Sequence, residues 1–353
     1  MYRNSLIPFA VIALFFATAV ITCSDKNSRE EDNNGKKNNK KDGGSDADTD
    51  TDTDLDTDGD SDGDDDGCSK MDILFMIDNS ASMDCEQDLL ADSFPEFISI
   101  LEEYADNQDT FEYRLGVTTT STTAKISDDM PDPIPDIPRY QDGDDGILRE
   151  FFGEPDPWLD GPNPDRDIPA LFSQTALVGV DGPPYEMPLQ ALELFLDKTE
   201  EGGENEGFLR ENSVFALLLI TDEDDCSHPK EDTEFAVPTD MCMQNPARHN
   251  LQELSYYKQM LDDRFGEDSY VIIVIAGKTA CETSTAECSG DDPVHEGCRQ
   301  AGARLLDFME NYIGITDEDN GVFADICTVD IPMALEVALR KMSIVCDEYV
   351  PME

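Results

Sequence analysis

The sequence predicts an α/β fold, a doubly wound and mostly parallel sheet flanked by helices. Three apolar runs of strand length carry that prediction: MDILFMI (71–77), SVFALLLIT ending at Thr221, and SYVIIVIAG ending at Gly277. Each is apolar without interruption, as strands covered on both faces are. The segments between them place apolar residues at helical spacing, and strands alternating with amphipathic helices mark a parallel sheet.

The elements follow in order. After the first strand a helix begins near Glu86, with Leu90, Phe94, Phe97, Ile98 and Leu101 on one face and Pro95 predicting a kink. YRLGVTT (113–119) is the second strand. Residues 124–184 are rich in Pro, Asp and Gly and hold the only tryptophan, Trp158; they read as a long excursion from the sheet, either functional or a variable surface insertion. Leu254, Tyr257 and Leu261 mark a helix between the third and fourth strands, and Ala301, Leu305, Phe308 and Tyr312 mark another. GVFADI is a short strand. Asp330 and Pro332 open a terminal helix whose Leu335, Ala338, Leu339 and Met342 face inward. The apolar periodicity of these helices is core packing.

The N-terminal part is built differently. Arg3 followed by LIPFAVIALFFATAVIT is the charged and apolar pattern of a secretory signal, residues 1–22. Cys23, three positions after an apolar residue, resembles the acylated first residue of a bacterial lipoprotein. Ordinary signal cleavage and a retained membrane anchor are the alternatives. Ser24 after that cysteine resembles an outer-membrane sorting signal, so the expected location is the envelope of a Gram-negative bacterium. Residues 23–67 have almost no apolar side chains and cannot offset chain entropy by burial; they are expected to form a disordered acidic stalk. Asp54, Asp56, Asp58 and Gly59 also match the start of an EF-hand-like loop, the competing reading of that stretch.

The chain of 353 residues carries 80 Asp and Glu against 24 Lys and Arg, a formal charge of −56. Residues 68–353 keep 63 acids against 17 bases, a net of −46, so the charge belongs to the folded part as well. Such a surface repels nucleic acid and anionic lipid, leaving basic partners, divalent cations or adaptation to salt. Ten cysteines in an exported chain predict disulfides. Cys68 sits just before the first strand and Cys346 just after the last helix, so a bridge between them would staple the domain. Cys226 with Cys242 and Cys281 with Cys288 are candidate local loops. His228, His249 and His295 are too scattered for a zinc site.

The chemistry-bearing motif follows the first strand. In DNSAS, Asp78, Ser80 and Ser82 occupy alternate positions, and Asp222 follows the third strand in LLLITDEDDCS. Ligands of doubly wound sheets bind beyond the carboxyl ends of the strands. If the two strands are neighbours, these four residues form a hard-oxygen set for Mg²⁺ or Mn²⁺, with Ca²⁺ possible. The bland alternative is a turn or helix cap, which uses the same residue types. Glu223, Asp224 and Asp225 are expected to be a solvated acidic rim.

D-x-S-x-S after a first strand, with T-D ending a later one, resembles the von Willebrand factor type A (VWA) domain over most of residues 68–350. ARHNLQELSYYKQML, VIIVIAG and FADICTVDIPMALEVALRKM also resemble envelope lipoproteins of that superfamily. The resemblance implies a metal-ion-dependent adhesion site (MIDAS). Two serines and a threonine ligate the cation there, two aspartates lie close by, and an acidic side chain of a partner completes it. The family's threonine is missing: the corresponding stretch reads VGVDGPPYEMPLQAL. Glu186 or Asp181 is the candidate replacement, while Thr175 lies too far upstream. A carboxylate there adds negative charge, favouring Ca²⁺ or Mn²⁺ and discouraging an acidic partner.

The expected function is therefore a lipid-anchored, non-enzymatic adhesion-type module that holds a divalent cation and binds a protein or peptide ligand. The alternatives are a metal-dependent hydrolase and a structural calcium-binding surface protein. Ser80, where a D-x-D phosphatase has its second acid, and the lack of a P-loop or G-x-S-x-G argue against the hydrolase.

Overall fold

The computed structural model describes residues 67–108, 110–126, 140–183, 185–230, 234–235, 251–277, 302–326 and 331–349. The signal segment, Cys23, the acidic stalk, Cys242, Cys281, Cys288 and Asp330 lie outside these residues. No helix among the described residues is long and apolar enough to cross a membrane.

In chain order, β1 (Lys70–Ile77) leads through a short turn, Ala81–Met83, into α1 (Asp84–Asp106), followed by β2 (Glu112–Thr119), β3 (Ala124–Ile126), β4 (Tyr140–Gln141) and β5 (Leu159–Gly161). Then come α2 (Ile168–Ala176), α3 (Pro188–Lys198), β6 (Val214–Ile220), β7 (Glu234–Phe235), α4 (Leu254–Phe265) and β8 (Tyr270–Ala276). The described part closes with α5 (Ala303–Phe308), which runs on into a wider turn over Met309–Ile313, then β9 (Gly321–Asp325) and α6 (Ile331–Glu348).

Six strands form one sheet in the order β5-β2-β1-β6-β8-β9. Five are parallel, and β5 pairs antiparallel with β2 at one edge. A small second sheet joins β4, β3 and β7. The long sheet is buried on both faces, which is why its strands read as unbroken apolar runs. Side chains alternate between the faces. Ile73, Phe75 and Ile77 belong to the core shared with α1, α2 and α6, whereas Leu74 and Met76 belong to the core shared with α3, α4 and α5. Phe75 meets the edges of Phe94, Phe97 and Phe172 at ring-centroid distances of 5.7, 5.4 and 4.6 Å.

Helix α1 runs unbroken through Pro95, which is exposed. A proline on the solvent side removes one intrahelical bond, but the carbonyl it frees can be solvated. Residues 140–183 are not only a surface excursion. They supply edge strand β5, helix α2 and the core side chains Phe151, Leu159, Ile168 and Phe172. Trp158 packs against Phe208, and Arg114 both covers its ring at 4.7 Å and bonds Asp160 on β5. Short segments rich in Pro and Asp hide their apolar anchors from a periodicity test, because β5 has only three residues and α2 nine.

Cys68 and Cys346 form the expected disulfide, with a sequence separation of 278, and the Cys68 amide donates to the Cys346 carbonyl at 2.7 Å. Closing so long a loop restricts the unfolded chain more than the folded one. The double variant Cys68→Ser, Cys346→Ser is expected to lose about 2–4 kcal/mol in denaturant unfolding relative to the oxidised protein. An unchanged unfolding midpoint would contradict this.

Candidate metal centre

Strands β1 and β6 are neighbours in the sheet, with Ile77 opposite Ile220, so Asp78 and Asp222 emerge side by side at their carboxyl ends. Strand order reverses at β1, since the chain leaves it toward β2 on one side and returns to β6 on the other. That is where doubly wound sheets open a crevice. The Asp78 amide still continues the ladder, donating to the Ile220 carbonyl at 2.9 Å, so its side chain is fixed by the sheet itself.

The four residues expected from DNSAS and T-D do converge. Asp78 accepts from the Ser80 amide at 2.7 Å and from the Thr221 hydroxyl at 2.5 Å. The Ser80 and Ser82 hydroxyls lie 3.0 Å apart, and Ser82 donates to Asp222 Oδ1 at 3.1 Å. Asp78, Asp222 and Glu186 are fully buried and Ser80 nearly so, while Ser82 remains half-exposed.

Glu186 joins them from the segment before α3. The Thr120 hydroxyl donates to its Oε2, and the Asp78 carboxyl is near enough to repel it electrostatically. Asp181, the other candidate, is exposed on the surface, and Thr175 is embedded in α2. Sequence reasoning missed Thr120 and Thr221, the hydroxyl donors that hold Glu186 and Asp78. Their signal was the run TTTSTT (118–123) leaving β2 and the threonine of T-D itself. Gln87 was missed as well. It donates to the Asp78 carbonyl at 2.9 Å and exchanges bonds with the backbone of Gly179, tying the loop before Glu186 to the site. Gly182 completes this strap. Its amide donates to the Asn79 carbonyl, and a Cβ there would lie 2.3 Å from Asn79 Oδ1.

The electrostatics are those of carboxyls lacking a counter-ion. Burial raises Asp78, and burial together with repulsion from Asp78 and Glu223 raises both Glu186 and Asp222 well above the usual carboxylate range. Burial and Asp78 push Glu223 up to about 8. Glu186 Oε1, Asp222 Oδ2 and Asn79 Oδ1 are buried without a hydrogen-bond partner among the described residues. Buried polar atoms are normally satisfied, and two of these orphaned oxygens belong to carboxyls that both feel Asp78. Among the described residues no three His, Cys, Asp or Glu side chains form a ready-made metal cage. What converges is a mixed set in which serine hydroxyls stand beside the carboxylates, a chemistry suited to hard cations.

One expectation is corrected. Asp224 and Asp225 are not a solvated rim, for both are buried. Asp224 accepts from the Arg304 and Leu305 amides and so caps α5. Asp225 accepts from the Leu189 amide, while Ser227 takes the Gln190 amide, so the pair caps α3; Asp225 also binds Arg304 Nε at 2.7 Å. Orphan amides at helix N-termini need acceptors, and α3 begins with a proline and has no side-chain cap of its own. A run of acids in sequence does not reveal that each serves a different helix. Glu223 alone of the three keeps some access to solvent, though it too is partly buried. Cys226 is disulfide-bonded, but its proposed pairing with Cys242 lies outside the described residues.

These shifts give pH dependence a sign. Burial raises Asp224 to about 7, and Glu223 lies near 8. A carboxyl raised on folding contributes stability that is complete below its ordinary value and is lost as pH climbs through the folded one. In chelator, the melting temperature is therefore expected to fall between pH 5 and pH 8. A flat or rising profile would contradict the assignment.

No protein-family model matches the chain, and no curated protein does. Among solved structures, proximal thread matrix protein 1 from the mussel byssus is similar at 10% identity and TM-score 0.38, over 78% of this chain and 49% of that one. The pilus adhesin SpaC of Lactobacillus rhamnosus GG, in an open conformation, matches at 9% identity and TM-score 0.35, over 78% of this chain and 30% of that one. The adhesive tip pilin GBS104 of Group B Streptococcus agalactiae matches at 12% identity and TM-score 0.23, over 58% and 55%. The chain spans about half or less of the length of these proteins. Likeness at this level bears on neither the site nor its ligand.

Proposed function

We propose that this chain is a non-enzymatic, cation-dependent binding module of the VWA type, in which Asp78, Ser80, Ser82, Asp222 and Glu186 hold a divalent cation at a MIDAS-like site. The observation that carries the reading is the pairing of two serine hydroxyls with buried carboxylates that repel one another and retain orphaned oxygens, at the sheet's reversal point. A hard cation, Mg²⁺, Mn²⁺ or Ca²⁺, would supply the missing positive charge and leave a coordination position on the half-exposed Ser82 side for an oxygen of a protein ligand. The signal segment and Cys23 would place the module, lipid-anchored, at the cell envelope.

The hydrolase alternative needs a nucleophile or a general base facing the cation. Asp78 is buried, and both its oxygens already accept hydrogen bonds, from the Ser80 amide and the Thr221 hydroxyl. Ser80 bonds Ser82 and Ser82 bonds Asp222, with no imidazole or amine among the hydrogen-bond partners of either hydroxyl in the described residues.

The immobilised full chain, challenged with envelope proteins in Mg²⁺, in Mn²⁺ or in chelator, tests the proposal. A defined protein should be retained only with the cation and not by Asp222→Ala. Equal retention in chelator would contradict it, and phosphoester turnover lost in Asp222→Ala would favour the hydrolase.

A further inference from the structure

We propose that the loop 314–321 is a binding site for an ammonium-sized monovalent cation and that the side chain of Lys341 is its tethered occupant. The loop stands apart from the proposed metal centre: it leads into β9 at the amino end of the parallel strands, whereas Asp78 and Asp222 follow the carboxyl ends of β1 and β6. Lys341 reaches it from α6 and is only 7% exposed. Its Nζ donates to the carbonyls of Thr316, Asp317 and Asp319 at 3.2, 3.1 and 2.7 Å. An ammonium has three protons to donate, and one turn of backbone accepts all of them. A buried charge is costly unless it is hydrogen-bonded, and here carbonyl dipoles meet that need.

The cage holds its shape through bonds of its own. The Asp319 amide donates to the Thr316 carbonyl at 3.2 Å, and Asp319 Oδ2 accepts from the Thr316 amide and hydroxyl at 2.9 and 2.7 Å. The Asn320 carbonyl accepts from the Ile272 amide of β8 at 3.0 Å, while the Asn320 side chain donates to the Glu267 carbonyl. Gly314 turns the chain into the loop at φ +85°, and a Cβ there would lie 2.4 Å from Asp319 Cγ. None of these bonds involves Lys341. The three carbonyls therefore stay convergent without the ammonium, which makes the loop a site in its own right.

Chemistry narrows the occupant. Backbone carbonyls replace the hydration shell of potassium, and ammonium is close to potassium in size. Divalent ions call for carboxylates, but Asp317 and Glu318 are exposed and Asp319 is held by Thr316. Tethering the cation to α6 raises its effective concentration at the cage and pins the terminal helix to the loop that starts edge strand β9.

Thermal melting of the full chain in chelator tests this, with Lys341→Ala, which empties the cage, beside Lys341→Met, which removes the charge but keeps the space filled. Both variants are expected to melt roughly 4–8 °C below the wild type in tetramethylammonium chloride, whose cation is too large for the cage and has no N–H groups. Ammonium or potassium chloride at the same ionic strength should return most of that loss to Lys341→Ala with a saturating dose response, and much less to Lys341→Met. Ions taken up by the Asp-rich segment or the metal centre act on all three proteins alike and cancel in the comparison. An ammonium response equal in the three proteins, or a Lys341→Ala that melts with the wild type, would overturn the inference. If Lys341→Ala is unfolded in tetramethylammonium chloride, recovery of its cooperative transition in ammonium chloride is the readout, and no recovery overturns the inference as well.

Discussion

Asp225→Ala is expected to be the most destabilising single substitution near the site, costing about 3–5 kcal/mol. Asp225 is fully buried and serves three partners: Arg304 Nε, the Leu189 amide at the start of α3, and the Ser227 hydroxyl. Removing it leaves the buried guanidinium of Arg304 without its carboxylate, and breaking a buried pair from one side costs more than the pair contributes when intact. It also leaves the first turn of α3 short of an acceptor, a loss of about 1 kcal/mol in its own right. Asp225→Asn keeps an acceptor for the helix and isolates the charge component. Urea unfolding should rank wild type above Asp225→Asn and Asp225→Asn above Asp225→Ala. Equal midpoints for wild type and Asp225→Ala would mean that the three contacts contribute no net stability.

Asp78→Ala is expected to remove the stabilisation that divalent cations confer. A cation at 1,000 times its dissociation constant adds about 4.1 kcal/mol to a protein that binds it only when folded. The wild type should therefore melt higher after Ca²⁺, Mn²⁺ or Mg²⁺ replaces chelator, and Asp78→Ala should melt at the same temperature in both. Without cation the order narrows or reverses, because Asp78 is a buried carboxyl disfavoured as an anion and repelling Glu186 and Asp222. The substitution removes that repulsion together with the bonds to Thr221 and Ser80. The signature is this crossing, which separates a ligand from an ordinary structural aspartate. A structural aspartate would lower stability equally with and without cation.

Much of this arrangement was legible in the residues. Unbroken apolar runs gave β1, β6 and β8 because burial on both faces leaves no position for a polar side chain, and β9 and the long helices were placed by their apolar spacing. Asp78 and Asp222 were recognisable because the end of a buried strand is a defined place in a parallel sheet, and Ser80 and Ser82 followed from spacing alone. The less legible parts depend on contacts far apart in sequence. The bond from Thr120 to Glu186 spans 66 residues, and the seat of Asp225 on Leu189 spans 36. Nothing local distinguishes Asp222, which keeps an orphaned oxygen, from Asp224 and Asp225, which end up as helix caps. Burial and partner decide, and both are tertiary. Likewise β5 and α2 escape a periodicity test because each is short and its anchors, Leu159 and Phe172, are single residues in polar surroundings.

In the proposed site a divalent cation sits among Asp78, Ser80, Ser82, Asp222 and Glu186. Anomalous diffraction from crystals of the protein grown with Mn²⁺ tests it most directly. A strong anomalous peak is expected within coordination distance of the Ser80 and Ser82 hydroxyls and the Glu186 carboxylate, absent from crystals of Asp78→Ala. Manganese bound only elsewhere, with the Ser80–Ser82 and Ser82–Asp222 hydrogen bonds intact, would mean that the cluster is a turn held by its own hydroxyls and that the claim is wrong.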